Sequence, residues 1–247
     1  MVPANHTPRL TSSPVRLPIG EHWLHGDFVL PPEPRGLVLF AHGSGSSRHS
    51  ARNQFVARTL EQHRLATLLV DLLTEDEDAV DRRTSQFRFD IGMLGHRLVT
   101  VVDTLKHRDL TASLPIGLFG ASTGGGAALV AAASRPREIV AVVSRGGRPD
   151  LAAGALSRVV APTLLIVGGL DREVLQMNRD AMARMHCEVA LEVVPGATHL
   201  FEEAGTLEQV AAAAGQWFAR HFAAVSAAGH AKEAHRTATA ASESDIT

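Results

Sequence analysis

Six apolar runs, each of seven or eight residues, recur along this chain of 247 residues and limit the folds open to it. They are nearly continuous in apolar residues and do not alternate with polar ones, which is typical of parallel strands that are covered on both faces. The runs are GLVLFAHG (36–43), ATLLVDLL (66–73), LPIGLFG (114–120), EIVAVVS (138–144), PTLLIVGG (162–169) and VALEVVPG (189–196). Before them, VRLPI (15–19) and HWLHGDFVL (22–30) predict a pair of antiparallel edge strands.

The stretches between the runs have a helical period. Apolar residues between Phe87 and Leu105 recur at spacings of three, four and seven, and those between Leu207 and Phe222 do the same. Strands that alternate with helices predict the α/β class, with a doubly wound, mostly parallel sheet and helices on both of its faces.

The ends of the chain differ from its middle in composition. We expect an N-terminal tail over residues 1–14, one folded domain over 15–224 and a disordered tail over 225–247, which is rich in Ala, Ser, Thr and His. We interpret the two tail histidines, His230 and His235, as solvated residues. The acidic segment TEDEDAVDRR (74–83) is predicted to be an exposed charged loop.

Composition argues against several functions. The formal net charge is −2, only 4% of residues are aromatic and tyrosine is absent, which disfavours nucleic-acid binding. The single cysteine, Cys187, excludes an intrachain disulfide and a thiolate metal cluster. The sequence shows neither a signal-peptide core nor a run of roughly 20 apolar residues, so we expect no membrane partner and a cytoplasmic location.

One strand end carries a candidate nucleophile. GASTG (120–124) follows the third run and precedes a helix-favouring segment, and G-x-S-x-G in that setting predicts that Ser122 is raised on a tight, strained turn. The alternative is a closely packed glycine turn in which the serine is incidental. A phosphate loop is disfavoured, because no lysine and no third spaced glycine follow either glycine-rich segment.

A nucleophilic serine needs a base, and the base needs an acid that orients it. His199 and Asp171 each come just after a predicted strand, and Ser122, Asp171, His199 is a chain order known for such triads. Asp171 could instead cap a helix, and His199 could be a capping or surface residue. Asp150, after the preceding strand, is the rival acid.

Two further groups could act on the substrate. The negative charge that develops during acyl transfer needs fixed backbone donors, for which we predict the N–H groups of Thr123 and of Ser44 in AHGSGSS. His42 in the same segment is interpreted as a structural hydrogen-bonding residue. Arg145 and Arg148 could bind an anionic acyl group or could simply be solvated.

From Gly36 to Phe222 the chain resembles the α/β-hydrolases, and among them the dienelactone hydrolase-like family. The resemblance rests on FAHGSGSS, GLFGASTGGGAAL, LLIVGGLD and PGATHLF, in that order. It implies two-step acyl transfer on a small-molecule substrate, with neither cofactor nor metal. Dienelactone hydrolase itself uses a cysteine where this chain has Ser122, so a serine esterase of esters, lactones or thioesters is the safer expectation.

Two alternatives stay open at this point. The same triad could transfer an acyl group or hydrolyse a carbon–carbon bond, or the chain could be a non-catalytic binding protein on a hydrolase scaffold. Many α/β-hydrolases insert a helical cap before the strand that carries the acid. Only residues 145–161 are available there, which predicts little or no cap domain and an open site.

Overall fold

The computed structural model describes residues 10–244, with side chains described as far as residue 227. Eight strands form one sheet, in the order β1-β2-β4-β3-β5-β6-β7-β8. Strands β3 to β8 run parallel, whereas β1 and β2 form an antiparallel pair at one edge. The bounds are β1 Ser13–Ile19, β2 His22–Val29, β3 Gly36–Ala41, β4 Leu65–Val70, β5 Ile116–Ala121, β6 Ile139–Arg145, β7 Thr163–Gly168 and β8 Val189–Val194.

Helices cover the sheet on both faces. They are α1 Ala51–Gln62, α2 Glu75–Thr84, α3 Ile91–Lys106, α4 Thr123–Ser134, α5 Arg172–Met182 and α6 Thr206–Ser244, with a 3-10 stretch over Pro149–Arg158. This architecture confirms the predicted doubly wound, mostly parallel α/β fold. Between β6 and β7 the chain holds only the 3-10 stretch, so no cap domain is inserted there.

Strand β3 shows why the central runs are apolar throughout. All six of its residues are buried, because alternate side chains enter different parts of the core. Leu37 and Leu39 pack in the cluster that contains α3 and α4. Val38 and Phe40 pack in the cluster that contains α1 and α6. A strand with a helix layer on each face has no polar side.

The acidic segment 74–83 is not an exposed loop, so that prediction is wrong. It forms α2, which begins after a capping box in which Thr74 Oγ1 accepts from Glu77 N–H and Glu77 accepts from Thr74 N–H. Glu77 also accepts two hydrogen bonds from Arg97 of α3, and Asp81 is buried against Arg88. The two arginines donate hydrogen bonds to carboxylates that, from composition alone, would be expected to be exposed to solvent.

The predicted tails lie partly outside the described residues. Strand β1 begins at Ser13, and residues 1–9 and 245–247 are not described. Helix α6 continues to Ser244, so most of the segment predicted to be a disordered tail is helical. The side chains of His230 and His235 lie beyond those described. The boundaries of the folded domain therefore stay a prediction. None of the helices within residues 10–244 is long and apolar enough to cross a membrane.

Candidate active site

Ser122 lies on a sharp turn between β5 and α4. Its backbone has φ +50° and ψ −122°, a conformation that residues with a side chain rarely adopt. Three backbone hydrogen bonds hold it: its N–H donates to Arg145 O (3.2 Å), and its carbonyl accepts from Gly125 N–H (3.0 Å) and Arg148 N–H (3.0 Å). The turn therefore has the geometry of a nucleophile elbow.

The residue two places after Ser122 must lack a side chain. A Cβ atom on Gly124 would overlap the carbonyl oxygen of Ala41 and lie 2.6 Å from that of His42. Helix α4 consequently starts against the end of β3. This close approach brings the segment after β3 to the side of Ser122, where a Cβ on Gly43 would lie 3.0 Å from Ser122 Cβ.

His199 and Asp171 meet at the same edge of the sheet. Nδ1 of His199 and Oδ2 of Asp171 are 2.6 Å apart, with 37% of the histidine side chain and 15% of the aspartate side chain exposed. Asp171 immediately precedes α5, yet its side chain makes no capping hydrogen bond with that helix. The capping alternative for Asp171 therefore has no support in its contacts.

Asp150, the rival acid, has a different partner. Its two carboxylate oxygens accept from Nε and Nη2 of Arg148 at 2.8 and 2.7 Å. Arg148 is thus engaged in an ion pair, and it does not line the cavity that contains Ser122. Nothing in the sequence distinguishes Arg145 from Arg148 as a binding residue, but in the structure only Arg145 of the two lines this cavity.

Several of the candidate residues line one cavity of about 240 Å³. Ser122, His199, Ser44 and Arg145 all line it. Thr123 is buried as the first residue of α4, directly after Ser122. The cavity also has lining residues that the sequence analysis missed: Ser46, Ser50, Arg52, Asn53 and Leu200.

Arg145 is an unusual residue for such a position, because only 7% of its surface is exposed. Burial, and next the neighbouring cation of Arg52, lower the pKa of Arg145 to about 10, so the guanidinium stays charged at neutral pH. Nη2 donates weakly to Oδ1 of Asn53, and the guanidinium lies 5.8 Å from the centre of the Phe201 ring.

His42 has the structural contacts expected of it. Its Nδ1 lies 2.9 Å from the carbonyl oxygen of Gly43, and its Nε2 accepts from Leu72 N–H at 3.0 Å. Burial lowers the pKa of His42, although the hydrogen bond with the Gly43 carbonyl and then the charges of Asp71 and Asp78 oppose that shift. Both ring nitrogens are therefore occupied by backbone groups, which leaves none for a proton-transfer role.

Comparison with known proteins identifies the family. Residues 59–228 match the model of the dienelactone hydrolase family, which is more than half of the chain. The chain belongs to the dienelactone hydrolase family. A dienelactone hydrolase from Anabaena variabilis has 55% sequence identity and a TM-score of 0.85, over 86% of this chain and 98% of that one. The family and the fold of this chain are therefore those of hydrolases.

Other relatives differ in length or share only the fold. A Mycobacterium tuberculosis protein named "Putative phosphoribosyl transferase" is 55% identical over 214 residues, which are 87% of this chain but 47% of that protein. The chain thus spans about half the length of the curated relatives that it matches. A serine hydrolase without a lid from Xanthomonas campestris shares the fold of this chain at 22% identity and a TM-score of 0.67, over 85% of this chain and 94% of that one.

Metal ligands are not grouped at this site. Within the described residues, no three or more His, Cys, Asp or Glu side chains are arranged to hold a metal ion. The side chains that the site does offer to a reaction are a hydroxyl, an imidazole paired with a carboxylate, and cationic guanidinium groups.

Proposed function

We propose that this chain is a serine hydrolase that cleaves carboxylic esters, lactones or thioesters of small substrates. Ser122 attacks the carbonyl carbon while His199 takes its proton, and Asp171 holds the imidazole in the tautomer that can accept it. The observation that carries the proposal is the 2.6 Å contact between His199 and Asp171, at the sheet edge where Ser122 occupies a strained turn.

The rest of the reaction follows from the same arrangement. The N–H groups of Thr123 and Ser44 stabilise the negative oxygen of the tetrahedral intermediate. The imidazolium then protonates the leaving group, which departs and leaves the acyl group on Ser122. His199 next activates a water molecule that releases the acid. Each step uses groups of the chain and water, so the proposal needs no cofactor.

The name of the mycobacterial relatives does not decide the reaction of this chain, since they are about twice as long. The proposal depends on residues within the shared half. Acyl transfer to another acceptor, or cleavage of a carbon–carbon bond, would use the same three side chains.

Steady-state hydrolysis of p-nitrophenyl acetate and butyrate tests the roles of the residues. We expect Ser122→Ala and His199→Ala to lower kcat/KM at least ~10³-fold, since triad members act as a unit. Asp171→Asn should lower it by ~10³ to 10⁴-fold through the wrong histidine tautomer.

The matched control is Asp150→Asn, which makes the same chemical change in a carboxylate that pairs with Arg148. We expect this variant to stay close to wild type. An active Asp171→Asn beside an inactive Asp150→Asn would transfer the acid's role to Asp150. Full activity in Ser122→Ala would refute the mechanism.

A further inference from the structure

Arg145 is a buried cation that forms no ion pair with the side chains of residues 10–227. Within the part of the chain whose side chains are described, its buried Nε has no hydrogen-bond partner. The neighbouring charge that lowers its pKa, after burial, is another cation, Arg52. Burying an unpaired charge is costly, so such a group is retained where something else supplies the opposite charge.

Arg52 contributes a second guanidinium to the same cavity. Its Nη1 is 3.0 Å from a carboxylate oxygen of Glu202, whose side chain is 63% exposed. Its buried Nε, like that of Arg145, has no partner among the described residues. The cavity is therefore lined by two cations, and the one carboxylate paired with them is exposed.

The N-terminus of α1 adds further positive character. Ser50, Arg52 and Asn53 all line the cavity, and they lie at the N-cap and in the first turn of this helix of 12 residues. That first turn has no acidic residue. The N–H groups at a helix N-terminus attract anions, and they bind phosphate in many proteins.

These donors belong to two different elements, and that arrangement favours one kind of anion over another. Arg145 reaches the cavity from the end of β6, whereas Arg52 and the helix N-terminus reach it from α1. A planar carboxylate is matched by the fork of a single arginine. A phosphate monoester has three acceptor oxygens and close to two negative charges, so it can accept from several directions at once.

We propose that the substrate carries a phosphate monoester group, which Arg145, Arg52 and the N-terminus of α1 bind beside Ser122. This inference rests on the proposed serine hydrolase, because it names the substrate class of the same site. The cavity of about 240 Å³ has room for roughly eight water molecules at ~30 Å³ each. Because Ser122 and both arginines line this one cavity, a short chain joins the phosphate to the reacting carbonyl.

Binding to the Ser122→Ala protein tests the phosphate site independently of catalysis. We would titrate it calorimetrically with propyl phosphate, butyrate and butyramide, which are similar in size and differ in charge. We expect propyl phosphate to bind about tenfold more tightly than butyrate, and butyramide more weakly than either. Affinity for propyl phosphate should fall below pH ~6, where the phosphate dianion takes up a proton and becomes a monoanion.

Two arginines of α1 provide a matched pair of variants. Arg52 lines the cavity, whereas Arg58 is exposed on the same helix. In the Ser122→Ala background, Arg52→Gln should weaken binding of propyl phosphate about tenfold or more, and Arg58→Gln should leave it unchanged. Arg145→Gln should have at least the effect of Arg52→Gln, with circular dichroism to check its fold.

The outcomes separate this inference from the proposed function. Butyrate binding as tightly as propyl phosphate, or equal effects of Arg52→Gln and Arg58→Gln, would overturn the phosphate site. A chain that binds propyl phosphate as expected but is inert towards esters would retain the site and refute the hydrolase.

Discussion

Ser122 combines a strained backbone with a position in the middle of a hydrogen-bonded turn. Non-glycine residues with such dihedral angles cost about 1–3 kcal/mol each, and they persist only where the surroundings fix them. Here the surroundings are the backbone groups of Arg145, Gly125 and Arg148, which form hydrogen bonds with the N–H and the carbonyl of Ser122. In this strained conformation Ser122 lines the cavity.

This strain predicts an order of stability among variants that lack the hydroxyl. Ser122→Gly should unfold at a higher urea concentration than Ser122→Ala, since glycine adopts a positive φ without a steric penalty. The difference should be about 1 kcal/mol, because the greater freedom of glycine in the unfolded chain offsets part of the gain. Equal stabilities would show that the turn is not strained.

Helix α2 shows how partners outside an element determine whether its charged side chains are buried. Composition predicted that residues 74–83 are exposed to solvent. Glu77 and Asp81 nevertheless form ion pairs with arginines that lie outside the segment. Burial raises the pKa of Asp81, but the hydrogen bonds from Phe87 N–H and Arg88 together lower it by more. The net shift of the pKa is therefore downward. The partners are 6 to 20 residues away, beyond the reach of a local pattern.

His42 links the segments that follow β3 and β4. The carbonyl of Gly43 requires a proton on Nδ1, while Leu72 N–H requires a lone pair on Nε2, so the neutral ring fits both. Because the pKa of His42 is lowered by burial, the unfolded chain binds a proton on this residue at a higher pH than the folded chain does.

Since the pKa of His42 is lower in the folded chain, we expect the free energy of unfolding to fall as the pH is lowered. The contribution of neutral His42 to stability is complete above the unfolded pKa of about 6.5, and it declines as the pH falls below that value. The slope from this one proton is at most ~1.4 kcal/mol per pH unit. Urea unfolding between pH 7.5 and 5 should show a smaller pH dependence in His42→Gln, whose amide cannot be protonated in this range. An unchanged slope would contradict the account.

At the scale of the whole molecule, the class of the fold and the positions of its strands were predictable from the sequence. The eight strands lie close to their predicted positions, since runs that are apolar throughout are typical of strands between two helix layers. The exchange in order between β3 and β4 was not predictable from local patterns, because it depends on how the crossover helices pack. Family membership now supports the same architecture independently.

The candidate site was predictable where its residues follow strands. Ser122, Asp171 and His199 all come after parallel strands, whose carboxyl ends share one edge of the sheet. Arg52 and Asn53 carry no such signal. They belong to α1, and only the packing of that helix brings its first turn to the cavity. The different partners of Arg145 and Arg148 likewise depend on side-chain directions.

Covalent labelling of Ser122 tests the central claim most directly. The purified chain is incubated with a fluorophosphonate, and the modified residue is identified by mass spectrometry of the digested protein. We predict one label per chain, on Ser122, with labelling much slower in His199→Ala, because the imidazole no longer takes the proton. The exposed His63→Ala should label at the wild-type rate. An unlabelled chain, or a label that persists in Ser122→Ala, would contradict the assignment of Ser122 as the nucleophile.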